Sequence, residues 1–417
     1  MELSMEQLRA AYEAAEQSLD DEGRAACLIE ALARFQTAEE AEAQQLNAFF
    51  GPRVKLVLLM AMRAIAAGDG ALGAYYLSLF PPRYLQQVHI LPSYRYWYGR
   101  AAYAQGDWAR AAQSFQEHLQ QQPRDEWAAF YAGNTWRHLG DLERARALWQ
   151  TAADENDGFC EPRANLAQDA LPLAAEEITC FDLAGVLEDP ARAYDLPVFI
   201  NARDRVGCLR TLVDWLRRAG YRRIHILDNA STYAPLLAYY EMLKGAEDVS
   251  VWYLRRNLGY QALWRSGILN LLHVDTAYVY TDPDVVPDEA CPEDIVYRLA
   301  VLLAHHPYLS KFGLTLHTDD LTFYNRRHIE ESEGGLRLMP VKDGYFMPTD
   351  TTFALYRNRR IYTLQESMRT RDDLRARHLP WYYDFDDLPE DERYYMEHAD
   401  GTSSVSRHWK EERQGSS

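Results

Sequence analysis

LPVFINARDRVGCLRTLVDWLRRAGYRRIHILDNAS, residues 196–231, sets the pattern of the C-terminal half of the chain. LPVFINA (196–202) reads as a strand. GCLRTLVDWLRRAG is an amphipathic helix that stops at Gly220, and YRRIHILDNAS carries a second strand. The alternation continues beyond it. APLLAYYEMLKG is a helix ending at Gly245, VSVWYLRRNLG a third strand, and TAYVYTDPDVV a later one. Strand–helix–strand spacing of this kind predicts right-handed crossovers and a parallel sheet with helices on both faces. Such sheets bind ligands at the carboxyl ends of their strands, so the polar residues just after each strand are the ones to weigh.

Four strand ends carry them. The first gives Asn201, Arg203, Asp204 and Arg205, and the second Asp228, Asn229, Ser231 and Thr232. The third gives Arg255, Arg256, Asn257 and Gly259, and the fourth Asp282 and Asp284 in YVYTDPDVVP. One such end is an ordinary cap or turn; four together suit a single chemistry. An Arg-rich loop meets phosphates with a bidentate fork. An aspartate after the second strand can accept the imide N–H of a uracil or thymine. Side-chain amides can fix ribose or phosphate. Two carboxylates on one strand, at i and i+2, share a face and can hold Mg²⁺ or Mn²⁺ against diphosphate oxygens. Asp-x-Asp alone is a weak motif, and its context raises it.

The first 160 residues follow a different pattern. Apolar residues recur at three and four, and breaks fall at Gly-Asp or Pro. WYGRAAYAQGDWARAAQSF aligns with YAGNTWRHLGDLERARALW, pairing Gly99 with Gly133, Gly106 with Gly140, Asp107 with Asp141 and Ala111 with Ala145, each 34 residues apart. A weaker copy has Gly68-Asp69 at its turn. These residues resemble the tetratricopeptide repeat family (TPR-like), which implies stacked helix pairs that bind a protein partner, self-associate or serve only as a scaffold.

Composition narrows the rest. The 417 residues carry a formal charge of −18, with a pI near 5.1, which argues against a nucleic-acid or anionic-membrane binder. Five scattered cysteines lack a C-x-x-C spacing, which fits a reducing, cytoplasmic setting without a disulfide framework. The acidic, amphipathic start is no signal peptide, and VKLVLLMAMRAIAAG carries Lys55 and Arg63 and is too short for a transmembrane segment.

The C-terminal region is similar to GT-A-fold glycosyltransferases, specifically the large family 2. PVFINARDRVGCLRTLVDWL, IHILDNASTY, RRNLGYQALWRSGI and YVYTDPDVVP carry the likeness, in the family's order. Ala262-Leu263-Trp264-Arg265 depart from it, since small residues are usual there, and the family's acidic pair before the acceptor helix is not evident. The expected organisation is α + α/β: a helical repeat domain over 1–160, a connector over 161–194 and a GT-A domain, mostly parallel in its sheet, over 195–417.

The resemblance implies metal-dependent transfer of a sugar from a UDP, GDP or dTDP donor to a glycan or other hydroxyl acceptor. Inversion and a role in surface polysaccharide assembly are family habit. It places Asp228 on the base, Asn201, Arg203, Arg205 and Asn257 near ribose and phosphates, and Asp282 and Asp284 on Mn²⁺ or Mg²⁺. His378, in RARHLPWYYDF, would complete the metal or phosphate shell, and Trp381 is either a stacking platform or core. Asp350, in FMPTDTTFALYR, is the candidate base, or else a helix N-cap. Asp319 and Asp320 are the second choice. A repeat adaptor with an inactive GT-A-like domain is the alternative. A nucleotidyltransferase ranks behind both, because NARDRVG has one glycine where those enzymes carry a Gly-rich loop.

Overall fold

Helices fill the chain up to Ala167. They are α1 (Met5–Gln17), α2 (Asp21–Thr37), α3 (Glu40–Phe50), α4 (Lys55–Ala66), α5 (Gly70–Ser78), α6 (Pro82–Gln87), α7 (Leu91–Ala104), α8 (Trp108–Gln121), α9 (Glu126–His138), α10 (Leu142–Glu155) and α11 (Cys160–Ala167). The computed structural model describes residues 3–87, 91–168, 170–321, 340–360, 366–371, 373–384 and 386–398, together with Ile329 and Glu333. The end of the expected 195–417 domain, beyond residue 398, lies outside the described residues.

The 34-residue offset reappears as equivalent local structure. Gly106 and Gly140 turn the chain at φ of 71° and 86°, where an L side chain is strained. Asp107 and Asp141 then cap α8 and α10, accepting from the backbone N–H groups of Arg110 and Arg144. Gly68 and Asp69 do the same between α4 and α5. Small residues let the pairs close: Ala111 and Ala145 are fully buried.

After a short helix, α12 (Ala184–Glu188), the strands begin. They are β1 (Val198–Ala202), β2 (Ile224–Asp228), β3 (Val249–Tyr253), β4 (Tyr278–Thr281), β5 (Val285–Pro287), β6 (Lys311–Gly313), β7 (Thr315–Leu316), β8 (Pro340–Val341), β9 (Gly344–Tyr345), β10 (Ala354–Tyr356), β11 (Ser367–Arg369) and β12 (Arg375–His378). Between them run α13 (Val206–Ala219), α14 (Ala234–Leu243), α15 (Ala262–Arg265), α16 (Ile268–Leu271) and α17 (Ile295–Ala304), and α18 (Glu390–His398) follows. The main sheet has the order β3-β2-β1-β4-β10-β6-β11-β9-β8, and a small second sheet has the order β5-β12-β7.

The parallel expectation holds for β3, β2, β1 and β4. The sheet as a whole is mixed, because β10 is antiparallel to both β4 and β6. Side chains alternate between two buried faces. Val198, Ile200 and Val279 join the core that continues into the helices. Phe199, Tyr278, Tyr280 and Tyr356 form a second cluster with Trp264 on the other face. Trp264 is wholly buried and packs edge-on to Tyr280, so the residue that departs from the family pattern has a core role.

The helical part and the sheet are joined by polar contacts. Asn156 donates to the Arg359 carbonyl at 3.0 Å, Asn270 to the Asp157 carbonyl at 2.7 Å, and Arg63 to the Tyr308 hydroxyl at 3.0 Å. No helix among the described residues is long and apolar enough to cross a membrane.

Candidate functional site

Asp282 and Asp284 do not sit on one strand. β4 ends at Thr281 in the main sheet, and β5 starts at Val285 in the small one, so Asp282-Pro283-Asp284 is the link between two sheets. The physical reason is Pro283, which has no N–H to donate to a ladder and ends the pairing there. The i, i+2 face expected from the sequence is therefore replaced by a turn.

The turn still gathers polar groups. Thr281 is in register with Ile200, which sets Asp282 level with Asn201 at the end of β1. Asn201 Nδ2 donates to Asp282 Oδ1 and to the Gly259 carbonyl, both at 3.4 Å. The Thr351 hydroxyl donates to Asp282 Oδ2, and the Asp282 N–H to the Thr351 carbonyl at 2.9 Å. The Asp282 carboxyl is pushed up to about 8, by burial first and by the nearby Asp284 carboxylate second.

Asp284 is buried. Its Oδ2 accepts from Arg205 Nη1 at 2.5 Å and lies 3.5 Å from His378 Nε2, while its Oδ1 has no hydrogen-bond partner among the described residues. His378 arrives because β12 pairs with β5 in a register that sets it opposite Val285. Its Nδ1 is buried and has no hydrogen-bond partner among the described residues, and its ring lies 4.7 Å from that of Trp381.

Arg205 is turned away from an open strand end. It forks onto Glu392 of α18 with two bonds of 2.6 Å and lies over the Tyr395 ring at 3.9 Å. Its place is thus a buried brace between Asp284 and α18. Arg203 lies 3.7 Å from Asp204. Asp228 ends β2, level with Ala202 and Tyr253. Its Oδ1 accepts from the Tyr240 hydroxyl at 3.1 Å and the Ser231 N–H at 3.3 Å, and burial raises its carboxyl above the usual range. The Asn257 Oδ1 accepts from its own Gly259 N–H at 2.9 Å, shaping the loop after β3.

Asp350 is exposed, 3.7 Å from Arg369, and adjoins Thr351. It precedes β10 rather than a helix, so the N-cap alternative is excluded. Asp319 and Asp320 are exposed partners of Arg375 and Arg377.

Three residues gain roles that the sequence did not assign. Asn229 accepts from the Leu258 N–H at 2.7 Å and donates to the Gly259 carbonyl at 3.1 Å, holding the Asn257 loop. Asp204, at φ 58°, accepts from the N–H groups of Thr232 and Tyr233 at 2.7 and 2.9 Å, fixing the start of α14. Glu392 holds Arg205 from 187 residues away.

The donor set suits a hard divalent cation in one respect: two carboxylates meet at one turn, and Asp284 Oδ1 is buried without a partner among the described residues. Among the described residues no three His, Cys, Asp or Glu side chains group around a point. That is compatible with Mg²⁺-type binding, in which one or two carboxylates and substrate phosphates share the ion in place of an all-protein cage.

No protein-family model matches the chain, and no curated protein does. Among solved structures it is similar to a point mutant of the O-GlcNAc transferase of Thermobaculum terrenum, with 14% identity and a TM-score of 0.25, over 53% of this chain and 44% of that one. It is also similar to a mannosyltransferase of Pyrobaculum calidifontis in complex with GDP-Man and Mn²⁺, with 12% identity and a TM-score of 0.29, over 48% and 59% of the two chains. The chain thus spans about half the length of these structures. Both are glycosyltransferases; TM-scores this low carry no argument about this chain's chemistry.

Proposed function

We propose that this chain is a glycosyltransferase of the GT-A type that moves a sugar from a nucleotide diphosphate to a hydroxyl acceptor with a divalent cation. The observation that supports this best is the convergence of Asn201, Asp282, Asp284, Thr351 and His378 on the link between two sheets, beside the strand ends that carry Asp228 and Arg203.

In this reading Asp228 faces the base, and Arg203, Asn201 and the Asn257 loop face ribose and phosphates. Asp282 and the free oxygen of Asp284 would hold Mn²⁺ or Mg²⁺, which when bound stabilises charge on the departing diphosphate. His378 closes the same side. Asp350 takes the acceptor proton, since it is exposed next to Thr351 and carries no cap duty. Arg205 acts indirectly, by holding Asp284 in place. The TPR-like helices would hold a protein partner or the acceptor.

A second reading is favoured by one observation. The Asp284 charge is already met by Arg205, as it would be in an adaptor whose sheet domain had lost catalysis. Calorimetric titration with UDP, GDP and dTDP, with and without Mn²⁺, separates the two. The transferase reading expects one nucleotide to bind in a cation-dependent way, and binding to weaken at least tenfold in Asp228→Asn. Absence of binding by all three supports the adaptor.

A further inference from the structure

β3 forms one edge of the main sheet. Its ladder to β2 uses alternate residues. The Leu254 N–H donates to the Asp228 carbonyl at 3.0 Å, and the Asp248 carbonyl accepts from the Ile224 N–H at 2.9 Å. A strand repeats every two residues, so the backbone groups of Val249, Val251 and Tyr253 point away from β2. Among the described residues no strand pairs with them. An open edge of this kind is a template for another strand, and folds usually cover or blunt it.

The two ends of this strand carry opposite charges. EDVSVWYLRR, residues 247–256, has two acids before the strand and two arginines after it. Asp248 is taken by Arg217 at 2.7 Å. Glu247, Arg255 and Arg256 are exposed and form no ion pair among the described residues. A row of like charges would repel a second copy of the edge. A strand that is acidic at one end and basic at the other attracts one, provided the two run antiparallel.

The register follows from the spacing. With a two-fold axis at Val251, Glu247 of each copy faces Arg255 of the other, and Val249 of each faces Tyr253 of the other. All five positions are odd, so they lie on one face of the strand, and they are the ones whose backbone groups point outward. The pairs are then an ion pair and a β-branched–aromatic pair, both favourable across strands, and the symmetry makes each of them twice.

The surface beside the edge is apolar. A hollow of about 430 Å³ is lined by Leu237, Ala238, Glu241, Lys244 and Tyr253. Tyr253 and Leu237 are 56% and 38% exposed, and Met242 of the same helix, α14, is 76% exposed. Apolar surface next to a self-complementary edge suits contact with an identical surface.

We propose that β3 is the seam of a homodimer, in which the main sheets of two copies join antiparallel through their β3 edges. The proposal rests on the edge and its charges and is independent of the nucleotide-sugar reading. It also differs from self-association through the helical repeats, which would leave β3 uncovered.

The test is sedimentation velocity and light scattering on the full chain at micromolar concentrations. Glu247→Arg and Arg255→Glu each turn two attractive pairs into two repulsive ones, and thermal melts verify that the variants fold. The expected result is a wild-type dimer whose dissociation constant rises about tenfold or more in either single variant. The double variant Glu247→Arg/Arg255→Glu swaps the charges and should return to within about threefold of the wild type. Hydrogen exchange over residues 249–253 should slow as the wild-type concentration rises. The proposal is overturned if the wild type is a monomer, if both single variants dimerise as well as the wild type, if the double variant is weaker than either single one, or if the slowing falls on the helical repeats instead.

Discussion

Arg205→Met tests how the sheet domain holds its acidic turn. Arg205, Asp284 and Glu392 are 7%, 3% and 1% exposed, and the guanidinium makes three bonds of 2.5–2.6 Å to the two carboxylates. Methionine keeps an unbranched stem of similar course and removes the guanidinium and its charge. Two carboxylates would then face each other in a buried setting. Removing one partner of a buried ion pair costs about 3–5 kcal/mol, most of it the penalty of the charge left behind. With a urea slope of about 3 kcal/mol per M, the midpoint should fall by at least ~1 M. Glu392→Leu added to Arg205→Met takes away one stranded carboxylate, so the double variant should be no less stable than Arg205→Met alone. Urea titration followed by circular dichroism reads both. A cost for Arg205→Met below about 1 kcal/mol, or a double variant that loses the sum of the two singles, would refute the idea that Arg205 neutralises this pair.

Three more outcomes are expected. Gly133→Ala should destabilise by about 1–3 kcal/mol although alanine is the better helix former, because the added Cβ would meet Trp149 Cδ1 and Nε1 at 2.5 Å and Trp149 is wholly buried; thermal melts will show it. His225 is held neutral down to about 4, by burial first and Arg223 second. An unfolded histidine titrates near ~6.5, so the unfolded chain binds more protons between those values; stability is complete above about pH 6.5 and falls as pH drops toward 4. His225→Gln should therefore gain on the wild type as pH falls through that window, by up to ~1.4 kcal/mol per pH unit, in melts from pH 7 to 4. Asp350→Asn should lower turnover by two orders of magnitude or more with little change in melting temperature, since the carboxylate is exposed and its ion pair with Arg369 is 3.7 Å long; an active variant removes Asp350 as the base.

The pattern of strands and helices was legible because it is local. Val198, Ile200 and Ala202 alternate with Phe199, the helix after them stops at Gly220 with φ 93°, and the 34-residue offset recurs as capped turns at Asp107 and Asp141. The residues gathered at the Asp282 turn were also legible in part, because parallel strands bring their ends together whatever lies between them. What escaped were long-range pairings. Nothing near Glu392 signals that it binds Arg205, and nothing near Arg205 says that it faces inward to carboxylates. Pro283 did carry a signal, since a residue that cannot donate to a ladder argues against one strand through both aspartates. The antiparallel insertion of β10 beside β4 depends on a chain return that no local spacing encodes.

The central claim is tested most directly by product analysis. Purified full-length protein is incubated with a panel of UDP-, GDP- and dTDP-sugars, with Mn²⁺ or with EDTA, and free nucleotide diphosphate is measured. The account predicts that one donor is turned over with Mn²⁺, that EDTA abolishes it, and that Asp282→Ala and Asp284→Ala each lower the rate by orders of magnitude while the protein stays folded. Near-normal turnover in both variants, or no turnover of any donor with Mn²⁺ present, would contradict it.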